Sequence, residues 1–183
     1  MSTIPVGDDL RAALLACLAV PRWADEVAGQ APFASAAALI DAARAAATPL
    51  PRREIDQAMA QHPRIGEKPT GDSQAAGFSR AEQASVDADD AGLAAAIADG
   101  NRAYEERFDR VFLIRAAGRS RREILAELHR RLGLDDTTEA AIVGSELRDI
   151  ALLRLGVLAL QWQDDSVPVS DAPDTAAAED SPR

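Results

Sequence analysis

Apolar residues recur at steps of three and four along most of this chain, which is the spacing of one face of an α-helix. A first helix is predicted where Asp8 or Asp9 can cap the chain and Pro21 ends it. Its apolar face is formed by Leu10, Leu14, Cys17 and Leu18. Trp23 and Phe33 lie on either side of the following loop, and we expect both to pack on the core.

Two more helices are predicted before residue 62. Ser35 caps an alanine-rich helix that runs to about Ala47, and Pro51 suits the first turn of a helix that reaches Gln61. The apolar residues on their inner faces are Leu39, Ile40, Ala43, Ile55 and Met59. Residues 63–78 are rich in glycine and proline and predict an irregular loop.

Two capping boxes mark helix starts in the second half, at Ser79 with Glu82 and at Ser120 with Glu123. The first helix, which residues 87–90 can interrupt, carries Leu93, Ile97, Asn101, Tyr104 and Phe108. The second carries Ile124, Leu125, Leu128 and Leu132, and Gly133 can close it. The apolar run 111–114 predicts one short strand or an extended buried segment, although no second strand is evident.

A final helix is predicted from about Thr138 to Gln163. The pattern as a whole predicts an all-α fold, a single compact domain of about six to eight helices over residues 1–163. Residues 164–183 lack periodicity and hold six acidic residues against one arginine, so we expect a disordered acidic tail.

Composition narrows the function classes. The formal net charge is −10, and half of this excess lies in the tail, which argues against general nucleic-acid binding. No apolar stretch is long enough to span a membrane, and no signal peptide is evident, so the cytoplasm is the expected compartment. The single cysteine, Cys17, is expected to be a small core residue.

His62 is placed between a helical stretch and Pro63, which should end that helix at or near the histidine. The helix C-terminus then favours the imidazolium form, and such a histidine is a candidate general acid. The alternative is a histidine that only caps the helix end. The other histidine, His129, stands among arginines and is expected to be a solvated or partly buried residue without a function.

Arg154 interrupts an apolar stripe on the last helix. The stripe is formed by Val143, Leu147, Ile150 and Val157, at steps of four and three. Three alternatives follow: the guanidinium reaches outward to water, it pairs with a carboxylate, or it binds an anionic ligand.

Glu82 has a similar ambiguity, because it is also the reciprocal acid of the capping box that Ser79 begins. Ser79 and the first amides of that helix form a natural site for an anionic or carbonyl group, and Gln83 could hydrogen-bond a ligand. The sequence contains no P-loop, dinucleotide-binding fingerprint or nucleophile elbow, and its two histidines and one cysteine are too far apart to suggest zinc.

Taken together, these stretches resemble the 2-oxo-4-hydroxy-4-carboxy-5-ureidoimidazoline (OHCU) decarboxylases of urate catabolism over about Leu14 to Leu160. The motifs that carry the resemblance are Trp23 with Pro32-Phe33, His62-Pro63-Arg64-Ile65-Gly66, Ser79-x-x-Glu82-Gln83, Asn101-x-x-Tyr104-x-x-x-Phe108, Phe112-x-Ile114, Gly118-x-Ser120 with Glu123-Ile124-Leu125, Arg131-Leu132, Glu139, and Ile150-x-x-x-Arg154-Leu155. The chain departs from the family pattern at Asp109, where glycine is frequent, and at Val111, where proline is.

The resemblance implies an all-helical enzyme, commonly a homodimer, that needs no cofactor or metal and converts OHCU to (S)-allantoin with loss of carbon dioxide. Carried over by position, His62 and Glu82 are the catalytic pair and Arg154 holds the substrate. The residues expected to line the pocket are Pro63, Ser79, Gln83 and Ile114.

Two alternatives stay open from the sequence. The chain could be a non-catalytic helical interaction domain whose acidic tail recruits a basic partner. It could also be a related decarboxylase or hydrolase that acts on another ureido acid.

Overall fold

The computed structural model describes residues 4–60 and 91–164, and this part of the chain contains seven α-helices and no β-strand. The helices are α1 (Gly7–Cys17), α2 (Pro21–Ala28), α3 (Ala36–Ala46), α4 (Arg52–Met59), α5 (Ala91–Phe108), α6 (Arg121–Leu132) and α7 (Asp136–Asp164). The predicted all-α class is therefore confirmed for the described residues.

Several predictions fall elsewhere in the chain. The irregular loop at 63–78, the helix start at Ser79, its interruption at 87–90 and the acidic tail beyond residue 164 all lie outside the described residues. Of the helix predicted to reach Gln61, the described part ends at Met59.

The N-terminal region differs from the prediction in two respects. Val6 is the N-cap of α1, and its side chain makes no capping bond. Asp8 and Asp9 lie in the first turn instead, where their negative charge interacts favourably with the helix dipole. Pro21 does not end α1, which stops at Cys17, but begins the unpredicted helix α2. Proline suits that first position because the amide it lacks would have no intrahelical partner there.

Five helices enclose the main core. The long helix α7 packs against α1, α3 and α4, and α2 contacts both α1 and α3. Trp23 on α2 is fully buried, and its indole Nε1 donates a hydrogen bond to the Ala43 carbonyl at 2.9 Å. Phe33 is partly buried against the same core, so both aromatic residues act as the anchors that the sequence predicted.

A second, smaller cluster forms where α5 packs on α6. Its buried side chains are Tyr104, Phe108, Phe112, Ile114, Ala116, Ile124 and Leu128. Gly100 permits the close approach of the two helices, since a Cβ atom there would lie 2.5 Å from Leu128 Cδ2. The predicted cap of α6 is also confirmed, because Ser120 and Glu123 form both halves of a capping box.

Residues 111–116 form an irregular, largely buried segment between the two clusters, so of the two predicted alternatives the buried segment is correct and the strand is not. Leu113 packs in the main core, whereas its neighbours Phe112 and Ile114 pack in the second cluster. The segment follows Asp109, whose φ of 52° lies in the left-handed region that favours glycine. This conformation explains why glycine suits that position, at which the chain departs from the family pattern.

A buried ion pair lies at the centre of the second cluster. Arg131 on α6 and Glu139 on α7 are both 0% exposed, and Arg131 Nε lies 2.9 Å from Glu139 Oε1. The Tyr104 hydroxyl donates to the same carboxylate, and the guanidinium carbon lies 4.8 Å from the centre of the Phe112 ring. Burial, and then the bond to Glu139, raise the pKa of Tyr104 above its usual range, so the hydroxyl remains a donor.

Removing one member of this pair should be costly. We expect Glu139→Ala to lower the free energy of unfolding by about 3–5 kcal/mol, because it leaves the Arg131 charge buried without its carboxylate. Urea unfolding followed by circular dichroism measures the change. The control is Glu127→Ala, which removes a half-exposed pair with Arg130 on α6 and should cost less than about 1 kcal/mol. Equal losses in the two variants would contradict this expectation.

Candidate active site

Two of the seven predicted site residues, Ile114 and Arg154, belong to the described part of the chain. The other five, His62, Pro63, Ser79, Glu82 and Gln83, lie outside the described residues. Their proposed convergence on Ile114 and Arg154 therefore stays a prediction.

Arg154 lies on the buried side of α7 and is only 5% exposed. Val143, Leu147 and Ile150 of the predicted stripe are buried as expected, but Val157 is 47% exposed, so that part of the prediction is wrong. The stripe continues at Leu158 instead. A strict four-three pattern lags a straight helix by about 20° per heptad, and over two heptads it turns away from the core.

The guanidinium of Arg154 reaches the end of α1. Its Nη1 donates a hydrogen bond to the Cys17 carbonyl at 3.3 Å, and Cys17 is the last residue of that helix. Carbonyls at a helix C-terminus have no intrahelical donor and carry partial negative charge, so they suit a cation. Of the three alternatives considered for this side chain, exposure to water is thereby excluded.

Ile114 is 2% exposed, and side chains from two helices hold the main chain on either side of it. Arg131 Nη1 donates to the Leu113 carbonyl at 2.8 Å. The Arg115 amide donates to Glu146 Oε2, also at 2.8 Å. Glu146 belongs to α7, and Arg119 Nη2 lies 3.6 Å from its other carboxylate oxygen.

The sequence did not predict that charged side chains of α6 and α7 hold this segment. Arg131 and Glu139 appear only as positions of the family motifs, and Glu146 appears in none of them. A usable signal was present, because Glu139 and Glu146 are seven residues apart and therefore share one face of α7 with the buried stripe.

The remaining candidates do not contribute a second site. His129 is exposed on α6, as expected, and the Cys17 thiol is buried in the core. Within residues 4–60 and 91–164, no group of three or more potential metal ligands is present. An open groove of about 520 Å³ runs along the outer face of α7, but neither Ile114 nor Arg154 lines it.

Comparison with known proteins agrees with the all-helical fold. The family model described as OHCU decarboxylase matches residues 7–156. The chain therefore belongs to the OHCU decarboxylase family and is a carboxy-lyase.

A solved structure described as OHCU decarboxylase in the presence of (S)-allantoin has the same fold, with a TM-score of 0.66 and 24% sequence identity. The match covers 84% of this chain and 99% of that one. No curated protein matches the chain. None of the described helices combines the length and apolar character that a membrane crossing requires.

Proposed function

We propose that this protein removes carbon dioxide from OHCU and yields (S)-allantoin, without a cofactor, in the cytoplasm. Membership of the family over residues 7–156 is the observation that carries the proposal. The burial of Arg154 supports it further, because the family motif requires a substrate-holding arginine at this position and the side chain is held inside the domain.

The substrate supplies its own electron sink. Its carboxylate leaves from C4, the carbon that also carries the hydroxyl group, and the electron pair of the broken bond passes into the neighbouring C5=N bond, whose nitrogen takes up a proton. The resulting enol gives up its hydroxyl proton and becomes an enolate. A proton is then added to C5, the carbon that carries the ureido group, and C4 becomes the ring carbonyl of allantoin. The protein has to orient the ring, stabilise the developing negative charge and deliver one proton.

We assign these tasks by position in the family motif. Arg154 orients the substrate, since a planar guanidinium can bind a carboxylate or ureido group through two parallel hydrogen bonds. His62, with Glu82 beside it, relays the proton from one face of the enolate. Pro63, Ser79, Gln83 and Ile114 complete the pocket.

The buried position of Arg154 suits its proposed task. Its Nη1 donates to the Cys17 carbonyl, which restricts the orientation of the guanidinium before substrate binds. Charges act more strongly where water is excluded, and a group that is already oriented costs less to organise during the reaction.

The proposed reaction is tested by adding freshly generated OHCU and following (S)-allantoin by circular dichroism. We expect His62→Ala and Glu82→Ala to remain folded and to lose about 100-fold or more of their stereoselective turnover. Protonation in water occurs from both faces of a planar enolate, so the uncatalysed reaction gives no preference for one hand.

His129→Ala is the matched control, because it removes the exposed histidine of α6 and should keep wild-type activity. Full activity in both His62→Ala and Glu82→Ala would overturn the assignment of the catalytic pair. A wild-type protein that converts another ureido acid, but not OHCU, would favour the related decarboxylase instead.

The protein is also proposed to form a homodimer. An apolar stripe on the C-terminal half of α7 supports this, since Leu153, Val157 and Leu160 are exposed at steps of four and three and so share one face.

Light scattering after size-exclusion chromatography should therefore give twice the 19.4 kDa mass of the chain, and Leu160→Glu should shift it to the monomer. Val6→Glu places the same charge on another exposed apolar residue and should stay dimeric. A wild-type monomer at micromolar concentration would rule out the dimer.

A further inference from the structure

The two peptide groups that flank Ile114 are both fixed by side chains. The Leu113 carbonyl accepts from Arg131, and the Arg115 amide donates to Glu146. In a trans peptide the C=O and N–H point in opposite directions within one plane. Fixing the Leu113 carbonyl therefore fixes the Ile114 amide, and fixing the Arg115 amide fixes the Ile114 carbonyl.

The orientation of Ile114 is thus imposed from outside its own segment. An irregular segment has no ladder of backbone bonds to define its path, so these two side-chain bonds determine where the Ile114 side chain and peptide groups point. Both distances are 2.8 Å, which is within the range of well-formed hydrogen bonds.

The groups that hold Ile114 are themselves held. Arg131 is bound by Glu139 through both Nε and Nη2, and these two bonds fix the plane of the guanidinium. The remaining nitrogen, Nη1, is thereby directed at the Leu113 carbonyl. Glu146 has Arg119 on its other oxygen, and its side chain is 12% exposed. Each bond to the segment is therefore backed by a second interaction, which limits its movement.

One helix connects these groups to the proposed substrate-binding arginine. Glu139, Glu146 and Arg154 all belong to α7, and eight residues of α-helix separate the last two by about 12 Å. A continuous helix is stiff over this length. The position of Ile114 relative to Arg154 is consequently set through α7.

We propose that Arg131 and Glu146 are positioning residues for the active site, which place Ile114 at a fixed distance from Arg154 and so define one wall of the substrate pocket. This inference rests on the proposed decarboxylase function and adds residues to it. The competing explanation is that both bonds only stabilise the fold. Measurements of KM and kcat distinguish the two explanations, because a purely structural role would leave both constants unchanged in folded protein.

The test compares two variants that each release one side of Ile114. Glu146→Ala removes the acceptor of the Arg115 amide, and Arg131→Lys keeps a cation beside Glu139 but cannot also reach the Leu113 carbonyl in the same geometry. Each variant is assayed with OHCU at a temperature below that at which it unfolds. We expect KM to rise and kcat to fall, with a combined loss of about tenfold to 100-fold in kcat/KM.

Two matched variants complete the comparison. Glu146→Gln keeps an oxygen acceptor and should restore kcat/KM to within about twofold of wild type. Glu54→Ala removes a 3% exposed carboxylate through which Arg22 joins α2 to α4, and should lower stability with KM unchanged. Amide exchange at Arg115 provides a readout independent of activity and should accelerate in Glu146→Ala but not in Glu54→Ala.

The outcomes are distinct. Wild-type KM and kcat in folded Glu146→Ala and Arg131→Lys would overturn the positioning role while leaving the decarboxylase function intact. An equal rise of KM in Glu54→Ala would show that general destabilisation is the cause and would also overturn it. Wild-type protein without activity on OHCU would overturn both the proposed function and this inference.

Discussion

The second cluster depends on one interaction, the fully buried pair of Arg131 and Glu139. Neither charge can reach water, so each must find its partners inside the protein. The carboxylate accepts from Tyr104 on α5, and the guanidinium also donates to the Leu113 carbonyl in the irregular segment. Three helices and one segment therefore meet at a point where displacement of any of them would leave a buried charge less well compensated. The pair acts on geometry more than on net stability, because desolvation offsets much of its Coulombic attraction.

Several arginine side chains join different helices through hydrogen bonds. Arg22 on α2 donates to the Ala46 carbonyl at the end of α3 and to Glu54 on α4, and this contact holds the pKa of Glu54 below its usual range. Arg154 on α7 likewise donates to a helix-end carbonyl, that of Cys17 in α1. The sequence is rich in alanine and only 4% aromatic, so it has few large side chains with which to join its helices. A guanidinium can bridge such gaps because it offers five donors in a rigid plane, and helix ends offer acceptors.

Local signals account for what could be predicted from the sequence. The capping box at Ser120 and the apolar face of α1 depend on residues within a few positions of one another, and both were predicted correctly. Pro21 was predicted to end α1, but it begins α2, because the same residue is compatible with the position after one helix and with the first turn of the next. The apolar run at 111–114 was compatible with a strand or with a buried irregular segment, and the sequence did not decide between them. In the structure the run is irregular, and the Leu113 carbonyl accepts from the Arg131 side chain. At the candidate site, the break in the stripe identified Arg154, whereas its contact with Cys17 spans 137 residues and has no sequence signature.

The uninterrupted length of α7 has a consequence for how this chain can change in evolution. The helix contains 29 residues, and each residue turns the backbone by about 100°. Insertion or deletion of a single residue between Glu139 and Arg154 would rotate one relative to the other by that angle. One of them would then face solvent, whatever amino acid was added. Substitutions along this stretch can accumulate one at a time, whereas insertions and deletions disrupt the whole arrangement at once. We therefore expect insertions and deletions in related sequences to concentrate in the connections between helices.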